Sequence, residues 1–195
     1  MRGRYIATSQ NMISIHKICV VALAVVLNVL GGHIALMLHL PIYLDSMGTV
    51  MAATIYGPFI GALPALVYGL VMGFSVDIYA LYFMPVGMLL GVSAGIVSKI
   101  FPLKKSKLIA GAFIITLPST VLSSFIAAAV FGGVTSSGST IIVQILNKLG
   151  LPLVTSVFAV QFGTDYLDRL ISLILVSYVL NAVPANLING GEAKK

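Results

Sequence analysis

From Asp45 to Phe74 the chain runs for 30 residues with one charged group, at Asp45, and the stretch is too long for one membrane helix and short for two. An unbroken helix over 47–73 would extend roughly 40 Å at 1.5 Å per residue, against a hydrocarbon core of roughly 30 Å. Its middle reads Tyr56-Gly57-Pro58. Proline disfavours helix at the residue before it and fits the first turn of the next. The pattern therefore predicts a tight helical hairpin, with one helix over 47–56 and another over 59–73.

The distribution of positive charge supports that break. Basic residues gather at Arg2, Arg4 and Lys17, at Lys99, Lys104, Lys105 and Lys107, and at Lys194 and Lys195. Cytoplasmic flanks of membrane helices collect Lys and Arg, so the three clusters belong on one side. Helices at about 18–38, 47–56, 59–73, 83–100, 108–132 and 162–182 achieve this, with both termini cytoplasmic, Lys148 in an outer loop and Arg169 in the last span. A single span over 47–73 would put the middle and last clusters outside. The expected fold is an all-α integral membrane protein, a six-helix transmembrane bundle forming one domain over 1–195.

A mean hydropathy of +1.09, with 59% hydrophobic and 8% charged residues, belongs to a membrane protein and excludes an ordinary soluble domain. The net charge of +6 comes almost wholly from the flanks, so it reads as orientation and lipid contact, with no nucleic-acid partner. The first apolar run exceeds a signal-peptide core and has no convincing cleavage site, so it is expected to stay in the mature protein. Cys19 stands alone and is expected to be a buried structural thiol.

Small residues recur every four positions at Gly57, Gly61, Ala65, Gly69 and Gly73, a face that lets a neighbouring backbone approach closely. Packing inside the bundle is the first reading, and docking to another membrane subunit the second. Ala24, Asn28, Gly31 and Ala35 repeat the pattern in the first helix, where Asn28 is expected to bond a neighbouring helix. Polar residues inside a membrane are costly and informative. Gln161, Asp165, Asp168, Arg169 and Ser172 share one broad face, and Asp165 to Arg169 has the order of a favourable helix ion pair. Arg169 lies roughly 10 Å inside the expected helix start. A snorkelling arginine, a structural pair and a cavity-lining group all fit that placement. Thr116, Ser119, Thr120, Ser123 and Ser124 surround Pro118 and read as repair of its kink before ligand contact.

On the outer side, the first loop carries His39, Tyr43 and Asp45, and the loop after the third helix carries Asp77, Tyr79 and Tyr82. Interfacial anchoring explains such aromatics, and their coincidence with acids makes an outward-facing pocket the second reading. His33 reads as a hydrogen-bonded packing residue, and His16, His33 and His39 lack the spacing of a metal site. In the segment 133–160, Ser139 can cap a short helix closed by Gly150 and Pro152, and the apolar run 151–160 either begins the last helix or dips into the bundle.

The sequence contains no nucleophile elbow, H-E-x-x-H pair, C-x-x-C motif or nucleotide-binding loop, which argues against an enzyme, and no cofactor is implied. The two halves do not resemble one another as the repeats of a secondary transporter do.

The run Leu40-Pro41-Ile42-Tyr43-Leu44-Asp45-Ser46-Met47-Gly48-Thr49, the pattern Gly57-Pro58-x-x-Gly61-x-x-x-Ala65-x-x-x-Gly69 and the motif Asp165-x-x-Asp168-Arg169-Leu170-Ile171-Ser172 together resemble the substrate-binding S components of energy-coupling factor (ECF) transporters. The resemblance spans nearly the whole chain. It implies a small vitamin-binding membrane protein that works with a transmembrane coupling subunit and two ATPases. The family's Ala-x-x-x-Ala docking pattern on the first helix is matched only by Ala24-x-x-x-Asn28 and Gly31-x-x-x-Ala35. By resemblance, ligand binds at His39, Tyr43, Asp45, Asp77, Tyr79, Tyr82, Met88, Gln161, Asp165 and Arg169. Pantothenate is the favoured vitamin, through an Arg169–carboxylate contact. Hydroxymethylpyrimidine, pyridoxine and cobalamin stay open, as does a stand-alone secondary transporter.

Overall fold

The structure is a computed structural model that describes residues 15–100 and 107–182. Among them are seven helices and no strand: α1 (Ile15–Met37), α2 (Met47–Tyr56), α3 (Pro58–Ser75), α4 (Ile78–Ile100), α5 (Lys107–Phe131), α6 (Ser139–Lys148) and α7 (Leu153–Ala182). The charges at Arg2, Arg4, Lys104, Lys105, Lys194 and Lys195, and both termini, lie outside the described residues. α1, α3, α4 and α5 are each long and apolar enough to cross a membrane, which makes the chain a multi-pass helical membrane protein. At 10 residues, α2 extends only about 15 Å and cannot cross by itself.

The hairpin forms at the residues that predicted it. Gly57 has φ +86°, a left-handed backbone that glycine adopts without strain. Its N–H closes α2 on Ala53 and its carbonyl opens α3 by accepting from Gly61, with Pro58 in the first turn. The small-residue face of α3 packs inside the chain. A side chain on Gly61 would overlap Ala53 of α2, and one on Gly69 or Gly73 would overlap Met84 or Leu81 of α4. The fit is reciprocal, since a Cβ on Gly91 of α4 would overlap the Gly61 carbonyl, and one on Gly95 would strike the backbone of Pro58.

The α1 stripe is also internal, which corrects its assignment to a partner. Asn28 is fully buried, donates to Thr49 Oγ1 at 2.8 Å and accepts from the Gly48 N–H at 2.8 Å. A Cβ on Gly48 would meet the Ala24 carbonyl, and one on Gly31 the Leu44 carbonyl, while Ala35 is buried beside them. This face of α1 is occupied by α2 and the connection before it. Two further expectations fail in α1: Cys19 and His33 are exposed on its outer surface.

Two helices start earlier than their apolar periodicity suggests. α4 begins at Ile78 because Asp77 caps it, accepting the Tyr79 N–H at 3.1 Å through Oδ1. Tyr79 and Tyr82 are therefore helical residues and not part of a loop. α7 begins at Leu153, where the Pro152 carbonyl takes the first helical hydrogen bond from Ser156 at 2.9 Å. The run 151–160 thus opens a 30-residue helix, and Arg169 lies roughly 24 Å from its start instead of near its mouth. α6 forms where Ser139 was expected to start a helix, with Gly138 in the cap position and no side-chain cap.

The three connections 38–46, 76–77 and 132–152 meet at one end of the bundle. Gly138 N–H donates to the Leu40 carbonyl at 3.2 Å, Tyr43 Oη to Thr135 Oγ1 at 3.3 Å, and Ser136 Oγ to Asp77. The Gly57 corner and the Lys99 side chain come together at the opposite end.

Candidate functional site

A cavity of about 70 Å³ lies beneath the joined connections, walled by α3, α4, α5 and α7. On the scale where one water occupies about 15 Å³, it holds on the order of five waters. Seven of the ten residues assigned to binding from the sequence line it: Tyr43, Asp45, Asp77, Tyr79, Gln161, Asp165 and Arg169. The other three do not. His39 is exposed in the connection with its carbonyl beside Gly138, Tyr82 points away on α4 at 49% exposure, and half-buried Met88 stands outside the lining.

α7 supplies the charged wall. The pairing of Arg169 with Asp165 that helix spacing allows does not form, and Arg169 makes an ion pair with Asp168. Asp168 is 1% exposed and also accepts the Leu44 N–H at 3.1 Å and the Ser46 hydroxyl at 2.8 Å, with Ser46 in contact with Ser172 at 2.9 Å. Leu44 takes φ +54°, uncommon for a residue with a side chain, and that backbone turn accompanies its donation to Asp168. The connection 38–46 is thereby fastened to the middle of α7. Arg169 is 6% exposed, lines the cavity and keeps its Nε without a partner. An arginine so deep and so enclosed is no snorkelling anchor.

Asp165 turns instead to α5, accepting the Thr120 hydroxyl at 2.7 Å. Gln161 Oε1 accepts from Ser123 at 3.0 Å and Ser124 at 2.9 Å. The hydroxyls around Pro118 therefore divide their work. Ser119 bonds the carbonyls of Ile115 and Thr116 within its own helix, as kink repair requires. Thr120, Ser123 and Ser124 instead join α5 to α7, and Ser123 also faces the cavity.

The opposite wall is aromatic. Phe131 at the end of α5 packs against Tyr79, Tyr82 and Phe83, with ring centroids 4.7, 5.1 and 6.2 Å away, and Tyr79 and Phe83 line the cavity. Tyr68 of α3 completes this wall, buried with its hydroxyl at the Asp45 carboxyl. Sequence reading passed over Tyr68, although it stands next to Gly69 on the small-residue face and is the one bulky polar side chain there.

In the connection 38–46, burial pushes the Tyr43 phenol up to about 12, so at neutral pH it keeps the proton that it donates to Thr135. Burial, reinforced by the nearby Asp168 carboxylate, pushes Asp45 up to about 6. All four aspartates of the chain, Asp45, Asp77, Asp165 and Asp168, gather at this site. The lining thus presents charged groups and hydrogen-bonding partners inside a bundle of apolar helices. In comparisons with known proteins, no family model, curated relative or solved structure matches the chain.

Proposed function

We propose that the chain is the solute-binding membrane subunit of an ATP-driven uptake system, of the S-component type that its sequence resembles. The observation that carries this reading is the convergence of Asp45, Asp77 and Asp165 with Arg169 and Gln161 on one small cavity, while Asp168, the fourth aspartate of the chain, pairs with that arginine. Ionisable groups inside a membrane bundle are costly, and a transported solute is the usual reason for keeping them. No nucleotide-binding loop exists in the sequence, so the energy is assigned to a partner.

The chain crosses the membrane six times in this reading, with α2 and α3 completing the second and third passages as a hairpin. Lys17, Lys99 and Lys107 mark the helix ends opposite the cavity, so the positive-inside rule puts that end and both termini in the cytoplasm and opens the cavity outward. The α1 stripe is filled by this chain, so the coupling subunit docks on another face.

For the solute, the cavity's size and charge favour a compact water-soluble compound over pantothenate. The anionic end of pantothenate would meet three lining carboxylates and an arginine already paired with Asp168. Reconstitution tests the reading. Purified alone, the chain should bind its solute without moving it, and uptake into proteoliposomes should require a coupling subunit, ATPases and ATP. Uphill uptake by the lone chain would make it a secondary transporter instead.

A further inference from the structure

We propose that α6 is an interfacial anchor: its outward apolar face, Ile141, Ile142 and Ile145 with Leu149 at the C-cap, is seated in the acyl-chain boundary of the leaflet at the cavity end, and holds the joined connections in place over the cavity. This role is additional to solute binding and does not depend on what the cavity takes. At about 3.6 residues per turn, α6 divides into three faces. Ser139, Val143 and Leu146 turn inward, and the last two pack in a cluster with Ala127 and Ala128 of α5 and Val157 and Val160 of α7. Thr140, Gln144, Asn147 and Lys148 form a polar strip. Ile141, Ile142, Ile145 and Leu149 fill the third face, each between 44% and 76% exposed. A short helix that only covered a core would carry polar residues there. Apolar side chains beside a polar strip suit a helix lying in the plane of a membrane surface.

Depth and charge identify lipid as the occupant. Val160 lies roughly 10 Å along α7 from its start and Ala127 roughly 6 Å from the end of α5, so α6 sits level with the terminal turns of its neighbours and not above them. Those turns are themselves apolar on the outside, with Phe125 and Val130 exposed on α5 and Val154 and Phe158 on α7. Lys148, among the described residues the one lysine at this end, closes the polar strip with the charge that phosphate headgroups attract. The helix is also bonded into the cover of the cavity at both of its ends. In its first turn Thr140 Oγ1 accepts the Thr135 N–H at 3.0 Å, and Thr135 in turn accepts from the lining residue Tyr43. In its last turn Asn147 donates to the Leu151 carbonyl at 3.0 Å, just before α7 begins. What fixes α6 therefore fixes the connection over the cavity.

The chain contains no tryptophan, so one introduced tryptophan reports alone. Ile145→Trp and Gln144→Trp are compared in the full-length protein, reconstituted without partners in phosphatidylcholine vesicles whose acyl chains are brominated near the headgroup. Brominated lipid quenches a ring seated among acyl chains, and acrylamide quenches one in water. Ile145→Trp should be quenched several-fold more strongly by the lipid than by acrylamide, and Gln144→Trp the reverse. Ile141→Trp provides the same readout if Ile145→Trp does not fold. Equal quenching of Ile145→Trp by the two, or quenching by acrylamide alone, leaves the face in water and overturns the lipid seat. Quenching by neither places it against protein, a second copy included, and overturns it as well. Hydrogen exchange in unbrominated vesicles reads the hold on the cavity cover: Ile141→Ser combined with Ile145→Ser should speed exchange of the amides over 133–139 several-fold. Unchanged exchange there overturns the anchoring role. The binding-subunit reading is decided separately, by whether uptake needs the partner ATPases.

Discussion

Where α3 meets α4, Gly61, Gly91 and Gly95 let backbone press on backbone, so the contact is made by the absence of side chains. Where α5 meets α7, Thr120, Ser123 and Ser124 reach across to Asp165 and Gln161, so the contact is made by polar side chains bonded in pairs. Membrane helices gain little from hydrophobic burial against one another, and these are the two remaining ways to hold them: close approach or hydrogen bonding. The cavity lies between the two. One wall is rigid, apolar and aromatic, and the other is a charged helix tied down by its neighbours. A binding site in lipid needs both, since the polar wall recognises and the close-packed wall prevents collapse.

Asp168→Asn should have the largest effect on this division. It removes the charge that pairs with Arg169 and weakens the acceptor shared by Leu44 and Ser46. Leaving a buried ion without its partner typically costs about 3–5 kcal/mol, a drop in Tm on the order of 10 °C for a chain of this size. The loss should appear in thermal unfolding in detergent. If Asp168→Asn melts like the wild type, the polar wall is not held in the way described.

Gly91→Ala tests the other wall. The new methyl would overlap the Gly61 carbonyl, a backbone atom that cannot swing aside. Overpacking of this kind costs about 1–3 kcal/mol. The same change at Gly163 on α7, where nothing stands within 4 Å, should leave Tm unchanged or raise it slightly, since Ala favours a helix over Gly. Equal melting of the two variants would mean that close approach contributes nothing particular at Gly91.

These two walls were not equally legible in the sequence. The glycine face of α3 repeats every four residues, and the hairpin corner is marked by Gly57-Pro58, so local spacing announces both. The polar wall was legible only as a list of residues. Seven of them do line the cavity, but the pairing of Arg169 could not be read from helix spacing. Asp165 at i−4 is the better helical neighbour, yet Thr120 on another helix takes it, and Asp168 keeps the arginine. Long-range partners decide such choices. The early starts of α4 and α7 were readable in principle: Asp77 before an apolar run is a cap signal, and Pro152 marks a boundary. The α1 stripe misled because small residues advertise a close neighbour without saying whether it belongs to the same chain.

Asp45 joins the walls, lying between Tyr68 and the charged helix, and its titration reports on both. Its folded value of about 6 stands above the ordinary 3.8, so between those values the folded state holds more protons than the unfolded. Stability therefore falls as pH rises from about 4 to about 6 and levels off above, by at most about 1.4 kcal/mol per pH unit. The difference in Tm between wild type and Asp45→Asn, followed across that window, isolates this residue from the other carboxylates. A flat difference curve would place Asp45 in water and not against the cavity.

The smallest expected effect is at Ser124, and its size distinguishes the two kinds of wall. Gln161 Oε1 accepts from Ser123 and Ser124 together, so Ser124→Ala leaves one donor in place. Interhelical hydrogen bonds in membranes average about 0.6 kcal/mol, and the single variant should lose no more than that. Replacing both serines strands a buried acceptor, which costs about 1–3 kcal/mol and should exceed the sum of the single losses. A double-mutant cycle in thermal or denaturant unfolding measures the excess. Additive losses would mean that the two hydroxyls act independently on Gln161. An excess would show that the polar wall has redundancy, which the glycine wall lacks, because a methyl at Gly91 meets the full overlap at once.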